Sequence, residues 1–405
     1  MKTLYVAVVG WELAGLLGGS PSCSAQEWTA TGAPATNWSS VASSADGSKL
    51  VAAVNGGFIY TSTNSGSTWV ATSAPTNSWR AVASSVDGAR LFAASDSGEG
   101  LYSSADSGST WQPTGPGGQF FNSIACSADG TKLAATDYGS RAFSTNSGAT
   151  WTYLESALPA GAAFVLVSTS ADGNTPVFVR IDVTSSSSMF TGSLTTNYFD
   201  DVLARFWGGL CTSVAMCADG TRFAAVIYAY RASPPGSTNC GGTILTWSAA
   251  GPTVVTNCTS VTNWNSVATS ADGMRLVAVA SGGAIYTSTD AGVSWGPASV
   301  TNASWAAVAS SADGAKLVAA AYGGGIYTWQ TIPAPVLNVT TSANGLLVIS
   351  WRVPSMTFTL QETSDLATSH WTPVGVSPTL NYGTLQYQVT LPKPQGTVFY
   401  RLASP

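Results

Sequence analysis

The stretch "IYTSTNSGSTWVATSAPTNSWRAVASSVDG", residues 59–88, decides the fold because the chain repeats it in altered form. Later versions include "LYSSADSGSTWQPTG" from Leu101, "AFSTNSGATWTYL" from Ala142 and "IYTSTDAGVSWGPAS" from Ile285. A recurring period of 41 to 53 residues indicates an architecture built from one supersecondary unit. Each repeat carries one Asp-Gly pair, and we number the repeats as copies one to seven by these aspartates: Asp46, Asp87, Asp129, Asp172, Asp219, Asp272 and Asp313.

Each copy reads as four short strands. Copy two contains the runs "WRAVASS", "ARLFAAS", "GLYSSAD" and "TWQPTG", which alternate in polarity or are rich in β-branched residues and are separated by Gly, Asp and Asn turns. No sustained helical period occurs between them. Four strands in roughly 40 to 45 residues is the size of one β-propeller blade.

The two ends of the repeat region predict a closed ring rather than an open array. Copy seven stops after its third strand, where the proline-rich "QTIPAPV" follows. The missing fourth strand is supplied by "EWTATGAPATNW" from Glu27, which matches "TWVATSAPTNSW" from Thr68. Ring closure removes the exposed sheet edges that an open array would leave. We therefore expect an all-β fold in which residues 26–331 form a seven-bladed β-propeller closed by the N-terminal strand.

Four segments carry a family resemblance: "STNSGSTW" (62–69), "SADSGSTW" (104–111), "STNSGATW" (144–151) and "STDAGVSW" (288–295). They resemble the Asp-box, or bacterial neuraminidase repeat, and the ring resembles the Asp-box propellers, including the photosystem II assembly and stability factor family. The resemblance implies a structural role, in which Asp or Asn bonds backbone within a turn, Gly permits positive φ and Trp packs between sheets. The residues in these roles are Asn64, Trp69, Asp106, Trp111, Asn146, Trp151, Asp290 and Trp295.

The N-terminus is typical of an export signal. Lys2 precedes the largely apolar "LYVAVVGWELAGLLGG", and the small residues "SPSCSA" precede Gln26. We expect residues 1–25 to be removed and the mature protein to lie outside the cytoplasm, secreted or in the cell envelope. The alternative is an N-terminal strand, and Glu12 within the apolar run favours it. No other segment approaches the ~18 unbroken apolar residues of a membrane span.

Composition restricts the chemistry that the chain could perform. Only 9% of the residues are charged, the net charge is -5 and no Lys or Arg run occurs, so we expect no nucleic-acid partner. The sole histidine, His370, lies outside the ring, so neither a Ser-His-Asp triad nor a histidine metal site can form there. A sialidase-like site needs three arginines, a Tyr-Glu pair and an acid, and only Glu99 or Glu155 is available to it. We expect no catalytic residue, no metal and no cofactor.

Copies four and five break the pattern and predict a binding site. They lack the Asp-box and carry longer segments, "NYFDDVLARFWGG" (197–209) and "IYAYRASPPGSTNCGG" (227–242), and irregular loops on a rigid scaffold commonly bind ligands. Repeat decay is the alternative. The candidate binding residues are Asp200, Asp201, Arg205, Trp207, Tyr228, Tyr230 and Arg231.

A second aromatic set stands eight residues before the Asp of each copy. Its members are Trp38, Trp79, Phe121, Phe164, Cys211, Trp264 and Trp305, and six of the seven are aromatic. Two interpretations are open. The side chains either pack between neighbouring blades or form a stacking platform at one mouth of the central channel.

The remaining features concern cysteines and the C-terminus. Cys240 and Cys258 lie symmetrically about Ala249, so a hairpin turning there predicts a disulfide between them. Residues 332–405 contain short strands between Pro and Gly turns and predict a small β-sandwich, which resembles fibronectin-like modules of secreted bacterial proteins.

Two function classes follow from these features. We expect a monomeric, non-enzymatic propeller that binds a protein or glycan through one face of the ring. The alternative is a glycan-active hydrolase of the sialidase-like superfamily, and a photosystem assembly role is a third possibility.

Overall fold

The computed structural model describes most of the chain, and every structural statement concerns the residues it describes. They are residues 5–9, 12–17, 28–115, 117–155, 162–181, 187–193, 198–206, 209–229, 242–248, 251–259, 263–298, 302–330, 337–342, 344–352, 359–365, 370–381, 386–394 and 396–403. These residues form β-strands and turns with no helix, so the all-β prediction is confirmed. None of them forms a helix able to span a membrane.

The strands of the repeat region follow the copies. An N-terminal pair, β1 (Tyr5–Val9) and β2 (Glu12–Leu17), precedes β3 (Thr29–Ala30). Copy one contains β4 (Thr36–Ser43), β5 (Leu50–Gly57), β6 (Ile59–Ser62) and β7 (Val70–Ala71), and copy two contains β8 (Asn77–Ser84), β9 (Leu91–Ser95), β10 (Leu101–Ser104) and β11 (Gln112–Pro113). Copy three contains β12 (Phe121–Cys126), β13 (Leu133–Asp137), β14 (Ser140–Ser144) and β15 (Thr152–Glu155). Copy four contains β16 (Ala163–Thr169), β17 (Pro176–Ile181), β18 (Ser187–Ser193) and β19 (Tyr198–Phe206).

The later strands complete the ring region and the C-terminus. Copy five contains β20 (Gly209–Met216), β21 (Arg222–Ala229), β22 (Gly242–Ser248) and β23 (Gly251–Thr259). Copy six contains β24 (Trp264–Thr269), β25 (Leu276–Gly283), β26 (Ile285–Ser288) and β27 (Gly296–Pro297). Copy seven contains β28 (Ala303–Ser310), β29 (Lys316–Gly324) and β30 (Ile326–Gln330). The C-terminal strands are β31 (Asn338–Thr341), β32 (Leu347–Arg352), β33 (Thr359–Thr363), β34 (Thr372–Pro373), β35 (Thr379–Asn381), β36 (Gln386–Leu391) and β37 (Val398–Ala403).

Within each copy the strands pair antiparallel in sequence order. The N-terminal strand β3 completes the last copy, because Thr29 lies opposite Thr328 and Ala30 opposite Tyr327 of β30. Its neighbour Trp28 is buried and stacks on Trp329, with 6.5 Å between the ring centroids. The chain therefore joins its first described ring strand to its last, as the sequence match at Glu27 predicts.

A circle of backbone hydrogen bonds links the copies at the residue before each Asp-Gly pair. The N–H of Ala45 donates to the carbonyl of Val86, the same bond continues from each copy to the next, and the N–H of Ala312 donates back to the carbonyl of Ala45 at 2.8 Å. The members of this alanine circle are Ala45, Val86, Ala128, Ala171, Ala218, Ala271 and Ala312. Because each bond joins neighbouring copies, the sheets are fixed to one another at the centre of the ring.

The residues that begin the inner strands form the core between neighbouring sheets. Trp305 is fully buried among Val277 and Ile285 of copy six and Ala319 of its own copy. The other six members of this set are also buried. The interpretation that these side chains pack between blades is confirmed. The alternative of a stacking platform is wrong, because buried rings offer no face to a ligand.

The turns between third and fourth strands, which we call box turns, share one hydrogen-bond pattern. In copy two, Asp106 Oδ1 accepts from the N–H of Thr110 at 2.8 Å and from Ser104 Oγ at 2.8 Å. Ser107 has a φ of 59° and Gly108 a φ of 92°, so the turn holds two successive residues in the left-handed region. Asn64, Asn146 and Asp290 accept the same backbone bond in their copies.

The box-turn tryptophans are only partly buried. Trp69 packs beside Trp38, with 6.3 Å between centroids, in a core cluster that includes Val318 and Ile326 of copy seven. The indole N–H of Trp151 donates to the carbonyl of Thr114 of the preceding copy at 2.6 Å. Each therefore adds contact between sheets at the rim of the core. We expect their replacement by Ala to cost less than replacement of a fully buried tryptophan.

The Asp290 carboxylate provides a pH test of the box turn. Hydrogen bonds from Ser294 and Ser288 lower the pKa of Asp290 from 3.8 to about 2. A pKa that is lower in the folded state means that the ionised carboxylate stabilises the fold above pH ~4, and that this contribution is lost as the pH falls through about 2. We expect the melting temperature of the wild type to fall relative to that of Asp290→Asn between pH 4 and 2.

Asp290→Asn is a suitable reference because Asn already forms this turn in copies one and three. The two proteins should melt at similar temperatures at pH 7. A difference that stays constant from pH 7 to pH 2 would contradict the low pKa.

The C-terminal strands form two sheets with a shared core. One sheet has the order β31-β32-β36-β35, and the other contains β33, β34 and β37. Trp351, Leu360 and Tyr400 are buried in the core between them. Leu380 and Tyr387 of the first sheet also pack against the alanine circle.

The N-terminal hairpin lies beside the second C-terminal sheet. Val6 of β1 is opposite Tyr400 of β37, and β2 pairs with the other side of β1. This is the arrangement that the strand alternative for residues 1–25 describes. Removal of these residues on export stays a prediction.

Candidate binding faces

The antiparallel order of the strands gives the ring two different faces. Connections from first to second strand and from third to fourth strand lie on one face, which we call the turn face. The remaining connections lie on the opposite face, which we call the loop face. The N–H of Ser65, in a box turn, donates to the carbonyl of Ser48, beside an Asp-Gly turn, at 2.8 Å. The two kinds of turn are therefore neighbours on the turn face.

The described members of the predicted cluster in copies four and five lie on two different sheets. Asp200 and Asp201 belong to β19, the outer strand of copy four, where they lie opposite Thr191 and Phe190. Arg205 is near the loop-face end of the same strand. Tyr228 lies in the second strand of copy five, opposite Leu210. Trp207, Tyr230 and Arg231 lie outside the described residues.

Of the cysteines in copy five, Cys258 lies in a strand and Cys217 belongs to an Asp-Gly turn. Strands β22 and β23 pair about residues 249–250, and Cys258 lies opposite Thr243. Cys240 lies outside the described residues, so the Cys240–Cys258 disulfide stays a prediction. Cys217 replaces the serine of the Asp-Gly turn, and its sulfur accepts the N–H of Arg222 at 3.1 Å, as Ser44 Oγ accepts that of Lys49.

The half-exposed aromatic residues of the described ring lie on the loop face. They are Phe58, Phe120, Tyr138 and Tyr322, which are 45% to 55% exposed. Tyr138 and Tyr322 share one repeat position with Tyr228, nine residues after the Asp of the Asp-Gly pair. Of the three, only Tyr228 is among the binding residues predicted from the sequence, although the constant offset also marks Tyr138 and Tyr322.

The described part of the loop face contains one ion pair and one glutamate that is bonded to a tyrosine. Arg80 donates to Asp96, with 2.7 Å between Nη2 and Oδ2. The hydroxyl of Tyr102 donates to Glu99 Oε2 at 3.1 Å, and burial together with the Glu99 carboxylate raises the pKa of Tyr102. Tyr102 also packs edge-on against Trp79, as Tyr60, Tyr286 and Tyr327 pack against the equivalent tryptophans. Core packing therefore explains this tyrosine without a catalytic role.

The central channel contains a cavity of about 180 Å³ near the turn face. Its described lining consists of small or uncharged residues, chiefly Ser, Thr and Ala, with Met216 and Cys126. Burial raises the pKa of the Cys126 thiol to about 12, so the thiol is neutral and a poor nucleophile. The described residues contain no group of three His, Cys, Asp or Glu side chains that could hold a metal. This cavity offers shape and hydroxyl groups but no acid or base.

Basic residues on the turn face connect neighbouring copies. Six copies carry Lys or Arg three residues after the Asp of the Asp-Gly pair: Lys49, Arg90, Lys132, Arg222, Arg275 and Lys316. The Lys49 stem crosses the next Asp-Gly turn so closely that a Cβ on Gly88 would lie 2.8 Å from it. Its ammonium donates to Ser107 Oγ in the next box turn at 3.3 Å. We call this arrangement the basic latch.

The basic latch recurs around the ring. Arg90 donates to Ser147 at 2.7 Å, and Lys316 donates to Ser65 at 2.9 Å. These cations form no run of Lys or Arg in the sequence, because each of the six copies that carry one has a single cation at this position.

Comparison with known proteins identifies the fold and no family. No protein-family model matches the chain, and no curated protein sequence matches it. Among solved structures, Kuenenia stuttgartiensis hydrazine synthase is similar with a TM-score of 0.60 and 14% identity over 77% of this chain and 99% of that chain. YCF48 bound to D1 peptide is similar with a TM-score of 0.55 and 11% identity over the same shares of the two chains. Since both chains are propellers, this chain has a β-propeller fold.

Proposed function

We propose that this protein is a non-enzymatic propeller that binds a protein segment on its loop face. The observation that carries the proposal is the set of half-exposed aromatic residues on that face, Phe58, Phe120, Tyr138 and Tyr322. Exposed aromatic rings are enriched in protein interfaces, where they supply contact area and a polar edge. The tyrosines contribute most to this argument because two of them occupy one repeat position.

Two further observations support a peptide ligand and the choice of face. The described part of the C-terminal region packs on the turn-face end of the alanine circle through Leu380 and Tyr387, which leaves the loop face as the open side. A solved propeller of similar structure, YCF48, is bound to D1 peptide. Since the two chains are only 11% identical, the likeness supports the scaffold and the residues of this chain must supply the specificity.

The proposal includes a finer architecture. Residues 26–331 form seven blades, and residues 332–405 form a separate β-sandwich. The alanine circle and the β3–β30 pairing support seven blades, and the shared core around Trp351 supports the sandwich. The four box segments support membership of the Asp-box propellers. Residues 1–25 direct export, so that the mature monomer acts outside the cytoplasm.

The irregular copies extend the proposed surface. Tyr228 stands at the same repeat position as Tyr138 and Tyr322 and is half-buried. The candidates that the proposal retains beside it are Asp200, Asp201, Arg205, Trp207, Tyr230 and Arg231.

The tyrosines provide the direct test of the binding face. We expect the full chain to select peptides from a phage-displayed random library, and the Tyr138→Ala/Tyr322→Ala double variant to bind the selected peptides at least about tenfold more weakly, since interface aromatics contribute about 1 to 2 kcal/mol or more each. The melting temperature should stay unchanged because both side chains are about half exposed. Fluorescence anisotropy of a labelled peptide measures the affinity.

Two controls make this test specific. Val70→Ala removes an exposed apolar side chain from the other side of the ring and should leave affinity unchanged. Affinity should also vary little between ~50 and 500 mM salt, because stacking does not release counterions. Equal binding by the double variant would place the site elsewhere. If the chain bound members of a glycan array and selected no peptide from the library, the ligand would be a sugar rather than a protein segment.

The hydrolase alternative has one specific observation in its favour, the hydrogen bond from Tyr102 to Glu99. A tyrosine beside a glutamate is the nucleophile arrangement that the sialidase resemblance implies. A screen of fluorogenic glycosides tests it. Turnover that is abolished in both Tyr102→Phe and Glu99→Gln would establish the hydrolase and overturn the non-enzymatic proposal.

A further inference from the structure

The crevice beside the latch residue is much larger between copies five and six than between copies seven and one or between copies one and two. Neighbouring copies meet on the turn face at a crevice bounded by the latch residue of one copy and the box turn of the next. Beside the latch residue this space is about 10 Å³ between copies seven and one and between copies one and two. Between copies five and six it is about 160 Å³. The difference requires a local cause, because the same structural elements line all three crevices. A separate cavity of about 450 Å³ lies between β3 and the box turn of copy one, but among the described residues neither a cation nor an aromatic side chain lines it.

Ala291 explains the enlargement. The box turns of copies one to three have a serine at the position that Ala291 occupies in copy six, and all four residues have a φ of 56° to 59°. In the small crevices, this serine accepts a hydrogen bond from the latch residue, whose side chain then lies across the gap. Ala291 has no hydroxyl, and Arg222 Nη1 instead contacts the sulfur of Met274 at 2.7 Å. The gap opposite Ala291 therefore stays open.

The lining of this cavity combines one cation with mainly apolar surface and with the hydroxyl-bearing residues Thr246, Ser248 and Thr269. Phe223 stacks on Trp247 with 5.2 Å between ring centroids and an angle of 18° between the rings. Leu276, Ala291 and Val293 add apolar area. A thioether is a weak acceptor, and no oxygen of the described residues accepts a hydrogen bond from the Arg222 side chain. The guanidinium thus lies beside a mainly apolar cavity, with the Asp219 carboxylate as an electrostatic neighbour but with no oxygen of the described residues accepting its hydrogen bonds.

We propose that this cavity binds a small aromatic carboxylate. A cavity of ~150 Å³ holds one benzene-sized ring, so the volume suits a single aromatic group. The carboxylate would accept the charge-assisted hydrogen bonds that Arg222 offers, and the ring would lie against Trp247. A free aromatic acid and the terminal residue of a chain ending in Phe share this chemistry. The site is on the turn face, so it is independent of the proposed peptide surface.

Benzoate is the probe, and ligand-observed NMR titration of the full chain is the measurement. We expect a dissociation constant on the order of 1 mM, since the ligand has few atoms. Benzyl alcohol, which has the ring without the charge, should bind at least about tenfold more weakly. Equal binding of benzyl alcohol, or no binding of benzoate up to about 20 mM, would overturn the proposal.

Two independent variants test the site. Arg222→Met keeps the aliphatic stem over Gly273 and removes the guanidinium, and it should weaken benzoate binding at least about tenfold. Ala291→Ser restores the residue found in copies one to three, so Arg222 should cross the crevice and exclude the ligand. Its melting temperature should be equal or higher. Undiminished binding by either variant would contradict the assignment.

The matched control and the comparison of sources complete the experiment. Arg90→Met removes an equivalent latch cation whose partner is Ser147, and it should leave benzoate binding unchanged. An equal loss in this variant would show that the effect is general to the ring. A tripeptide ending in Phe with a free carboxylate, compared with its amide, distinguishes the sources. Tighter binding of the free tripeptide than of benzoate would identify a chain terminus, and weaker binding a free acid.

Discussion

A chain that lacks residues 26–36 should unfold about 6 to 10 °C below the wild type. The deletion removes β3, which pairs with β30, and Trp28, which is buried against Trp329. Burial of ~150 to 250 Å² by one tryptophan corresponds to roughly 4 to 6 kcal/mol. Over a ring of ~300 residues, this loss gives a shift of that size in a single cooperative transition. Calorimetry measures both the shift and the cooperativity.

The control for this deletion is a synthetic peptide of residues 26–36 added in trans. It can add to the exposed edge of β30 as a β-strand, so it should restore part of the lost melting temperature. Trp28→Ala in the full chain should reproduce most of the deletion's effect. An unchanged melting temperature after deletion would refute closure of the ring by β3.

Trp305→Ala should lower the free energy of unfolding by about 3 to 5 kcal/mol, the range for removing a large buried aromatic side chain. Trp305 is fully buried between copies six and seven, packs edge-on against Tyr327 at 5.2 Å, and donates its indole N–H to the carbonyl of Gly283 at 3.0 Å. The substitution therefore leaves a cavity at a junction of two sheets. Urea denaturation measures the loss.

Trp295→Ala is the matched comparison. Trp295 lies in the box turn of copy six and is half-buried, so its replacement should cost about 1 to 2 kcal/mol. An equal loss in the two variants would show that the inner-strand position has no special part in joining the sheets.

The repeat made the strands and their pairing predictable, because the period of four strands per copy is a local property of the sequence. The match between Glu27 and Thr68 also located the strand that pairs with β30. Burial of Trp38 and its equivalents is only one of the two interpretations that the sequence allows. Whether these side chains are buried depends on the distance between neighbouring sheets, and the sequence does not specify that distance.

The proposed binding surface is harder to predict because it depends on comparing the same position in different copies. Tyr138 and Tyr322 lie 184 residues apart in sequence and belong to copies three and seven. Attention to irregular segments favoured Asp200 and Asp201, which the structure places in the outer strand β19. The cavity beside Arg222 depends on the absence of a single hydroxyl at Ala291. This absence is recognised only by comparing Ala291 with Ser65, Ser107 and Ser147, which occupy the same position in copies one to three.

The basic latch has a consequence for how such a chain can evolve by duplication. Each latch joins a cation in one copy to an acceptor in the following copy, so the two partners belong to different repeat units. Copy four, whose neighbour lacks the box turn, has Thr175 in place of the cation. Lys132 of copy three, whose neighbour also lacks the box turn, donates instead to the carbonyl of Asp172 and to Asn174 Oδ1 of that neighbour. Substitutions at the two positions should therefore be selected together and in one direction around the ring. Exchanging two copies would separate cations from their acceptors even if every copy folded. Selection should therefore preserve the order of the copies in addition to their number.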